Sequence, residues 1–331
     1  MGKIHFGIAG TNFISDWVVT GGLEDGRFEP VAVCSRSEHT ARAFAQKYRI
    51  PHVFTSLEEM AASPLVDAVY IASPNAIHAQ QSLLCMQYGK HVLCEKAFAS
   101  NAREVRRMIE TANRRDVVLM EAMKPTLTPA FDAVINSLPQ IGVVRRYFSC
   151  YCQYSSRYDK LKEGVVLNAF QPELSNGATM DIGVYTIYPM VVLFGKPATI
   201  QAVGTVLSSG VDGQAAVNFT YHSGMTATVL YGKIADSTLP TEIQGESGTI
   251  RLDRINIIGE ATFINRNGAT VNIRPKTQHH EYYYEIAEFI DIIQSGRKES
   301  VVNSLNNSLI TMEIMDEIRN QLGVRFPADQ G

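Results

Sequence analysis

Apolar and polar positions along the chain fall into two regimes. In the first, Lys3 to Ala9 reads as a buried strand that breaks at Gly10, and Phe13 to Val19 has the apolar density of a helix packed on a sheet. Glu29 to Cys34 is a second strand, followed by Ala and Phe at helical spacing from His39 to Tyr48. His52 to Thr55 is a short strand, and Ser56 opens a helix with Glu58 and Glu59 in its first turn, where carboxylates complement the helix dipole. Asp67 to Ala72 is strand-like, Ile77 to Tyr88 helical, His91 to Cys94 a strand, Asn101 to Arg115 helical and Val117 to Met120 a strand. Strands alternating with helices in this way predict a parallel sheet covered on both faces, an α/β doubly wound Rossmann domain spanning 1–122.

After Pro125 the rhythm changes. A helix is predicted from Pro129 to Leu138, a long strand from Val143 to Tyr154 and a further helix from Thr179 to Leu193. From Thr199 to Ile273 short alternating segments are punctuated by Ser223-Gly224, Ser247-Gly248 and Asn267-Gly268, the turn signals of an antiparallel meander. Helices at Glu281–Gln294 and Ser304–Gln321 close the chain. The segment 123–331 is therefore expected to be an α+β domain with a large, mostly antiparallel open sheet. A sheet face left open finds a partner, so a homodimer or homotetramer formed through that sheet is expected.

Composition narrows the partners. Of 331 residues 45% are apolar and 19% charged, and 30 Lys and Arg against 33 Asp and Glu leave a net charge of −3, which argues against nucleic acid. Arg103, Arg106, Arg107, Arg114 and Arg115 are interrupted by Glu104, Glu110 and Asp116 at helical spacing and read as a solvated helix face. The apolar run at Ile187–Phe194 is far shorter than the roughly 18 residues of a membrane span, and no secretory signal follows Met1, so a cytoplasmic protein is expected. Cys34, Cys85, Cys94, Cys150 and Cys152 lack paired zinc spacing and read as reduced thiols. The dense run His279, His280, Tyr282, Tyr283 and Tyr284 lacks further ligands at suitable spacing and reads as interface or pocket packing rather than a metal site.

Candidate chemistry starts at the first strand-to-helix turn. Gly7-Ile-Ala-Gly10-Thr-Asn12-Phe13-Ile14-Ser15 sits where backbone amides approach a pyrophosphate at a helix N-terminus, with Gly10, Asn12 and Ser15 at the positions of G-x-G-x-x-G. Asn replaces Gly well at positive φ and Ser is small enough for close helix packing, so a dinucleotide site is expected rather than a purely structural turn. The second strand ends in Ser35-Arg36 without the carboxylate that would accept hydrogen bonds from a ribose 2′-hydroxyl. A guanidinium there suits a 2′-phosphate, so NADP is favoured as cofactor with NAD as the lesser option.

Lys96 follows the strand ending at Cys94 and Glu95, at the carboxyl edge where such sheets bind ligands. Ser73, Pro74, Asn75 and His78 follow the fourth strand at the same edge. In the second half Asp181 and Tyr185 lie four residues apart at a helix start and are expected to share one face.

At these residues the chain resembles the family of glucose-fructose oxidoreductase, inositol dehydrogenase and rhizopine-catabolism oxidoreductase (Gfo/Idh/MocA) over nearly its whole length. Glu95-Lys96-Ala97 is similar to the family's E-K-P, with Ala for Pro, and Gly177 through Asp181, Gly183 and Tyr185 to its G-G-x-x-x-D-x-G-x-[HY], with Asn176 for the first Gly. Tyr at 185 resembles the branch of dimeric dihydrodiol dehydrogenases and NADP-dependent xylose dehydrogenases. The resemblance implies Lys96 and Tyr185 as the catalytic pair with Asp181 beside them, and Asn75, His78 and Glu95 on the nicotinamide-ribose side. Where many relatives carry an Arg after the sixth strand, this chain has Glu121-Ala122-Met123-Lys124-Pro125-Thr126, so their substrate contacts do not transfer.

The chemistry of the pair is independent of the resemblance. A phenol with a pKa of roughly 10 is a poor base at neutral pH, and a neighbouring ammonium favours its phenolate. The expected activity is hydride transfer between nicotinamide and a secondary alcohol or carbonyl of a sugar, polyol or cyclic diol. The alternative on the same fold is a non-catalytic NAD(P)-binding regulatory protein. Segments Tyr154–Asp159 and Asn168–Gln171 are candidates for substrate contacts by position alone.

Overall fold

The computed structural model describes residues 2–330 and divides into two compact units. One unit runs to Lys124 and takes in Gln278–Leu309; the other holds Pro125–Thr277 and the chain from Ile310 onward.

The first unit is built on six strands: β1 (Ile4–Ala9), β2 (Phe28–Cys34), β3 (His52–Phe54), β4 (Ala68–Ile71), β5 (His91–Glu95) and β6 (Leu119–Ala122). All pair in parallel in the order β3-β2-β1-β4-β5-β6. They read as near-continuous apolar runs because both faces are covered; Phe6, Ile8, Val33, Val69, Ile71, Val92, Leu93 and Leu119 have no solvent exposure. The crossovers carry α1 (Phe13–Gly22), α2 (Glu38–Tyr48), α3 (Leu57–Ala62), α4 (Asn75–Gln87) and α5 (Ala102–Arg115). Their starts follow from side-chain caps: Asn12, Ser37, Ser56 and Asn101 each accept a backbone N–H of the first turn. The strand order reverses between β1 and β4, which makes the carboxyl ends of those strands the natural ligand crevice of this unit.

The second unit begins with α6 (Pro129–Ser137), whose N-cap Thr128 accepts from the Phe131 amide. Its eight strands are β7 (Val144–Cys152), β8 (Thr199–Val206), β9 (Asp212–Thr220), β10 (Thr226–Gly232), β11 (Thr241–Gly245), β12 (Gly248–Leu252), β13 (Ala261–Asn265) and β14 (Thr270–Asn272). They form one sheet in the order β14-β13-β12-β11-β7-β10-β9-β8, antiparallel except where β7 meets β10. The expected turns at Ser223-Gly224, Ser247-Gly248 and Asn267-Gly268 are in place between β9 and β10, β11 and β12, and β13 and β14. Between β7 and β8 the chain forms α7 (Tyr158–Lys162) and α8 (Val184–Phe194), and α8 lies against β7 and β10 at the middle of the sheet. Pro172–Phe194 is long and apolar enough by composition to cross a membrane, but 72% of its apolar 18-residue window is buried within the fold.

The closing helices are α9 (Tyr283–Ser295) and α10 (Leu305–Leu322). The aromatic run ahead of α9 is a packing device. A side chain at Gly21 would meet Tyr282 and the Tyr283 amide at 2.9 Å, so α1 and the start of α9 touch backbone to backbone. The His279 ring stacks on Tyr283 at 3.9 Å and its Nδ1 lies 3.0 Å from Glu24.

Candidate active site

Each unit carries its own set of candidate residues. In the first unit they gather at the carboxyl edge of the sheet. Gly10 ends β1 at φ +109°, and a Cβ there would lie 2.9 Å from the Ala72 carbonyl at the end of β4, so only glycine fits. Asn12 differs from expectation. Its φ is −84°, so it does not stand in for a positive-φ glycine; it is the N-cap of α1, accepting from Ile14 and Ser15 amides at 2.8 and 3.2 Å. Its side-chain amide also donates to the Ala72 carbonyl at 2.7 Å, tying the β1 turn to β4. Asn was favoured for what its side chain bonds, which a backbone-conformation argument does not capture. Phe13 is exposed, Ile14 half-buried, and Ser15 buried where the close packing of α1 requires a small residue.

At the tip of β2 the Ser35 hydroxyl pairs with Thr40 Oγ1 at 2.8 Å and Arg36 is exposed, one residue ahead of the N-cap of α2. Hydroxyl, guanidinium and helix N-terminus together are the donor chemistry of a phosphate monoester, so this tip fits NADP.

After β4, Ser73 and Pro74 lead into α4, whose first residue is Asn75. His78 is fully buried; its Nδ1 is 2.8 Å from the Ala97 carbonyl and its Nε2 2.7 Å from the Ser73 carbonyl. Burial lowers its pKa, opposed by the two carbonyls, and the ring sits between the loops after β4 and β5. Lys96, half-buried, follows Glu95 there, and the Lys96–Ala97 peptide is cis.

Glu95, expected on the nicotinamide-ribose side, is joined in the buried interior by two acids to which the sequence assigned no role, Glu121 and Glu285. Glu95 is buried and accepts from Tyr70 Oη at 2.6 Å. Glu121, on β6, is fully enclosed; it accepts from the Phe98 amide at 3.2 Å and bonds Ser308, while its Oε2 is buried without a partner. Desolvation pushes its pKa up to about 8, with the charge of Glu95 adding to the rise and Lys96 opposing it. Glu285, on α9, is buried with both oxygens unpartnered, and desolvation followed by Glu95 raises it well above the ordinary range. Lys124 pairs with Glu281 at 2.7 Å and lies 4.5 Å over the Tyr282 ring. The one legible signal was an acid inside the all-buried strand Leu119–Ala122.

The second unit presents Asp181 and Tyr185. The expected helix from Thr179 is corrected in its first turn: Thr179–Gly183 is π-helical and the α-helix starts at Val184. That wide turn is anchored from beneath. The buried Asp212 carboxylate accepts from the Thr179 amide and hydroxyl at 2.7 Å each, and that hydroxyl pairs with Tyr231 Oη at 2.8 Å. Desolvation raises the pKa of Asp212, opposed by these hydrogen bonds. Gly177, at φ +131°, is required here because a Cβ would meet Asp212. Asp181 Oδ2 lies 2.5 Å from Lys233 Nζ, a residue at the end of β10 absent from the sequence reading. Tyr185 is half-buried, edge-on to the Tyr151 ring at 5.8 Å. The candidate substrate segments fold onto each other: Tyr154 Oη donates to Asp159 at 2.7 Å, Tyr158 packs on Phe170 at 6.1 Å, and Asn176 donates to the Asn168 carbonyl at 2.8 Å.

Comparison with known proteins agrees with this architecture. A family described as "Oxidoreductase family, NAD-binding Rossmann fold" matches residues 4–123, and the "GFO/IDH/MocA C-terminal domain" matches 140–251. The chain is 50% identical over 327 residues to scyllo-inositol 2-dehydrogenase (NADP(+)) of Bacillus subtilis, covering 99% of both chains. It is 30% identical to mouse trans-1,2-dihydrobenzene-1,2-diol dehydrogenase, again over 99% of both. Among solved structures, aldose-aldose oxidoreductase of Caulobacter crescentus shares the fold with a TM-score of 0.86 at 19% identity, covering 96% of this chain and 97% of that one.

Proposed function

This chain belongs to the Gfo/Idh/MocA family of oxidoreductases, and from that premise we propose that it is an NADP-dependent dehydrogenase of a cyclic polyol or sugar, with Tyr185 as general acid/base and Lys96 as its cationic partner. The observation that carries the reading is the full-length similarity to an NADP-dependent scyllo-inositol dehydrogenase, joined to a β2 tip that offers Ser35 and Arg36 and no carboxylate.

Gly10, Asn12, Phe13 and Ile14 would hold the pyrophosphate, Ser35 and Arg36 the 2′-phosphate, and Ser73, Pro74, Asn75, Glu95 and Lys96 the nicotinamide ribose, with His78 bracing that edge. When bound, the nicotinamide supplies the acceptor for the hydride that leaves the carbinol carbon. Tyr185 Oη takes the hydroxyl proton as a phenolate in oxidation and returns it in reduction. Lys96 favours that phenolate by Coulomb attraction, and both groups stabilise the developing alkoxide. Each oxidative turnover yields one ketone, one reduced cofactor and one proton.

Cofactor choice is tested with Trp17, the one tryptophan of the chain, on α1, as the fluorophore. Titration should show tighter binding of NADPH than NADH. Arg36→Ala should weaken NADPH by about tenfold to a hundredfold, the loss of a charge-assisted contact, and leave NADH unchanged. A parent protein that prefers NADH would overturn the assignment.

The reading includes self-association through the open face of the eight-stranded sheet, on which Val203 of β8 is 70% exposed. Sedimentation equilibrium should return a dimer or tetramer, and a monomer at micromolar concentration would refute it.

A further inference from the structure

Lys233 is an ammonium almost wholly inside the second unit, its side chain 3% exposed, paired with an Asp181 carboxylate that is 37% exposed. Burying a cation costs several kcal/mol unless close partners compensate it. Three do so: Asp181 Oδ2 at 2.5 Å, the Ala169 carbonyl at 3.5 Å, and the Phe170 ring, whose centroid lies 5.1 Å away. The ammonium also bears electrostatically on the buried Asp212 beneath the π-helical turn. Its backbone is equally fixed, with the amide donating to the Gly213 carbonyl and the carbonyl accepting from the Ser155 amide.

Lys233 and its partners come from three places in the sequence. Ala169 and Phe170 lie in a candidate substrate segment, Asp181 in the π-helical turn, and Lys233 at the end of β10, a strand in the middle of the sheet. A replaceable stabilising contact does not need a buried charge, since apolar residues of similar volume stabilise such a position as well or better. What the charge supplies is direction. The inner oxygen of Asp181 is held against a rigid strand, so the carboxylate keeps one orientation at its exposed side.

We propose that Lys233 is a positioning residue that acts through Asp181, fixing the carboxylate so that it accepts a hydrogen bond from a second hydroxyl of the substrate, adjacent to the carbinol being oxidised. This rests on the dehydrogenase reading above for its substrate, and on the geometry alone for the tie between segment 168–170 and the turn 179–183. A site built to bond a substrate hydroxyl discriminates against an analogue lacking it, because that hydrogen bond is then lost.

Lys233→Met keeps the aliphatic stem and removes the charge. With NADP and scyllo-inositol it should raise KM by about tenfold to a hundredfold, the worth of one charge-assisted hydrogen bond, with kcat changed far less. The KM for a deoxyinositol lacking the adjacent hydroxyl should move little, and Lys233→Arg should recover most of the loss. In an Asp181→Asn background the same substitution should have almost no further effect on KM. Equal effects of Lys233→Met in both backgrounds, or on both substrates, would overturn the proposal. Hydrogen exchange separates the two layers of argument: peptides spanning 168–183 should exchange faster in Lys233→Met and not in Lys233→Arg. Unchanged exchange overturns the tie itself. Faster exchange in a protein whose parent turns over no polyol leaves the tie standing and refutes the dehydrogenase reading.

Discussion

Tyr185→Phe is expected to lower kcat by about a hundredfold to ten-thousandfold, the range typical of removing a general acid/base, while NADPH binds nearly as before. The substitution deletes one oxygen and keeps the ring, so the edge-on contact with Tyr151 at 5.8 Å survives and the fold should not respond. Steady-state kinetics with a polyol and NADP measure the first quantity, and cofactor titration the second. A fall in kcat and kcat/KM together, with unchanged cofactor affinity, identifies an interaction made in the transition state. A variant retaining more than a third of parental kcat would remove Tyr185 from the mechanism. A cofactor-binding regulator on this fold predicts no turnover in the parent.

Glu121→Gln should make the protein more stable in mild alkali, and markedly so. The folded-state pKa of Glu121 is raised from an ordinary 4.5 to about 8, first by desolvation. A raised carboxyl binds its proton more tightly when folded, so its contribution is fully present below pH 4.5 and is lost as pH rises through 8. At about 1.4 kcal/mol per pKa unit the loss amounts to roughly 3–5 kcal/mol across that window. Gln stays neutral and keeps an acceptor for the Phe98 amide, so the variant lacks this dependence. Urea unfolding of parent and variant at pH 5, 7 and 8.5 measures it: the stability difference should grow with pH in favour of Gln. Parallel pH profiles would show that the buried acid titrates no differently in the folded protein.

That such an acid persists in β6, with Glu95 and Lys96 among its electrostatic neighbours, marks the carboxyl edge as a place where stability is given up. Sites that hold charge for chemistry do this commonly.

Much of the first unit was legible because its signals are local. An apolar run four to seven residues long, a cap such as Ser56 or Asn101 and a glycine such as Gly10 each depend on residues within one turn or strand. The parallel order then follows, since each strand is separated from the next by a helix. The edge residues Ser35, Ser73, Asn75 and Lys96 could be named in advance for that reason: the carboxyl end of a parallel strand is a position in the sequence as well as in space. The same holds for the turns of the meander, where Ser-Gly and Asn-Gly pairs state their own backbone conformation.

What the chain alone could not disclose are the features set by residues far apart in sequence. Asn12 looked like a glycine substitute until its amide was seen on Ala72, 60 residues away. The first turn after Ala178 reads as α-helix from its side chains, and becomes π-helical where Asp212 and Lys233 hold it from neighbouring strands. Local pattern determined which segments became strands and helices, because propensity and patterning act over a few residues. Tertiary structure alone decided which buried charges face one another, because that depends on the order of strands across a sheet, where a single displaced neighbour changes every partner.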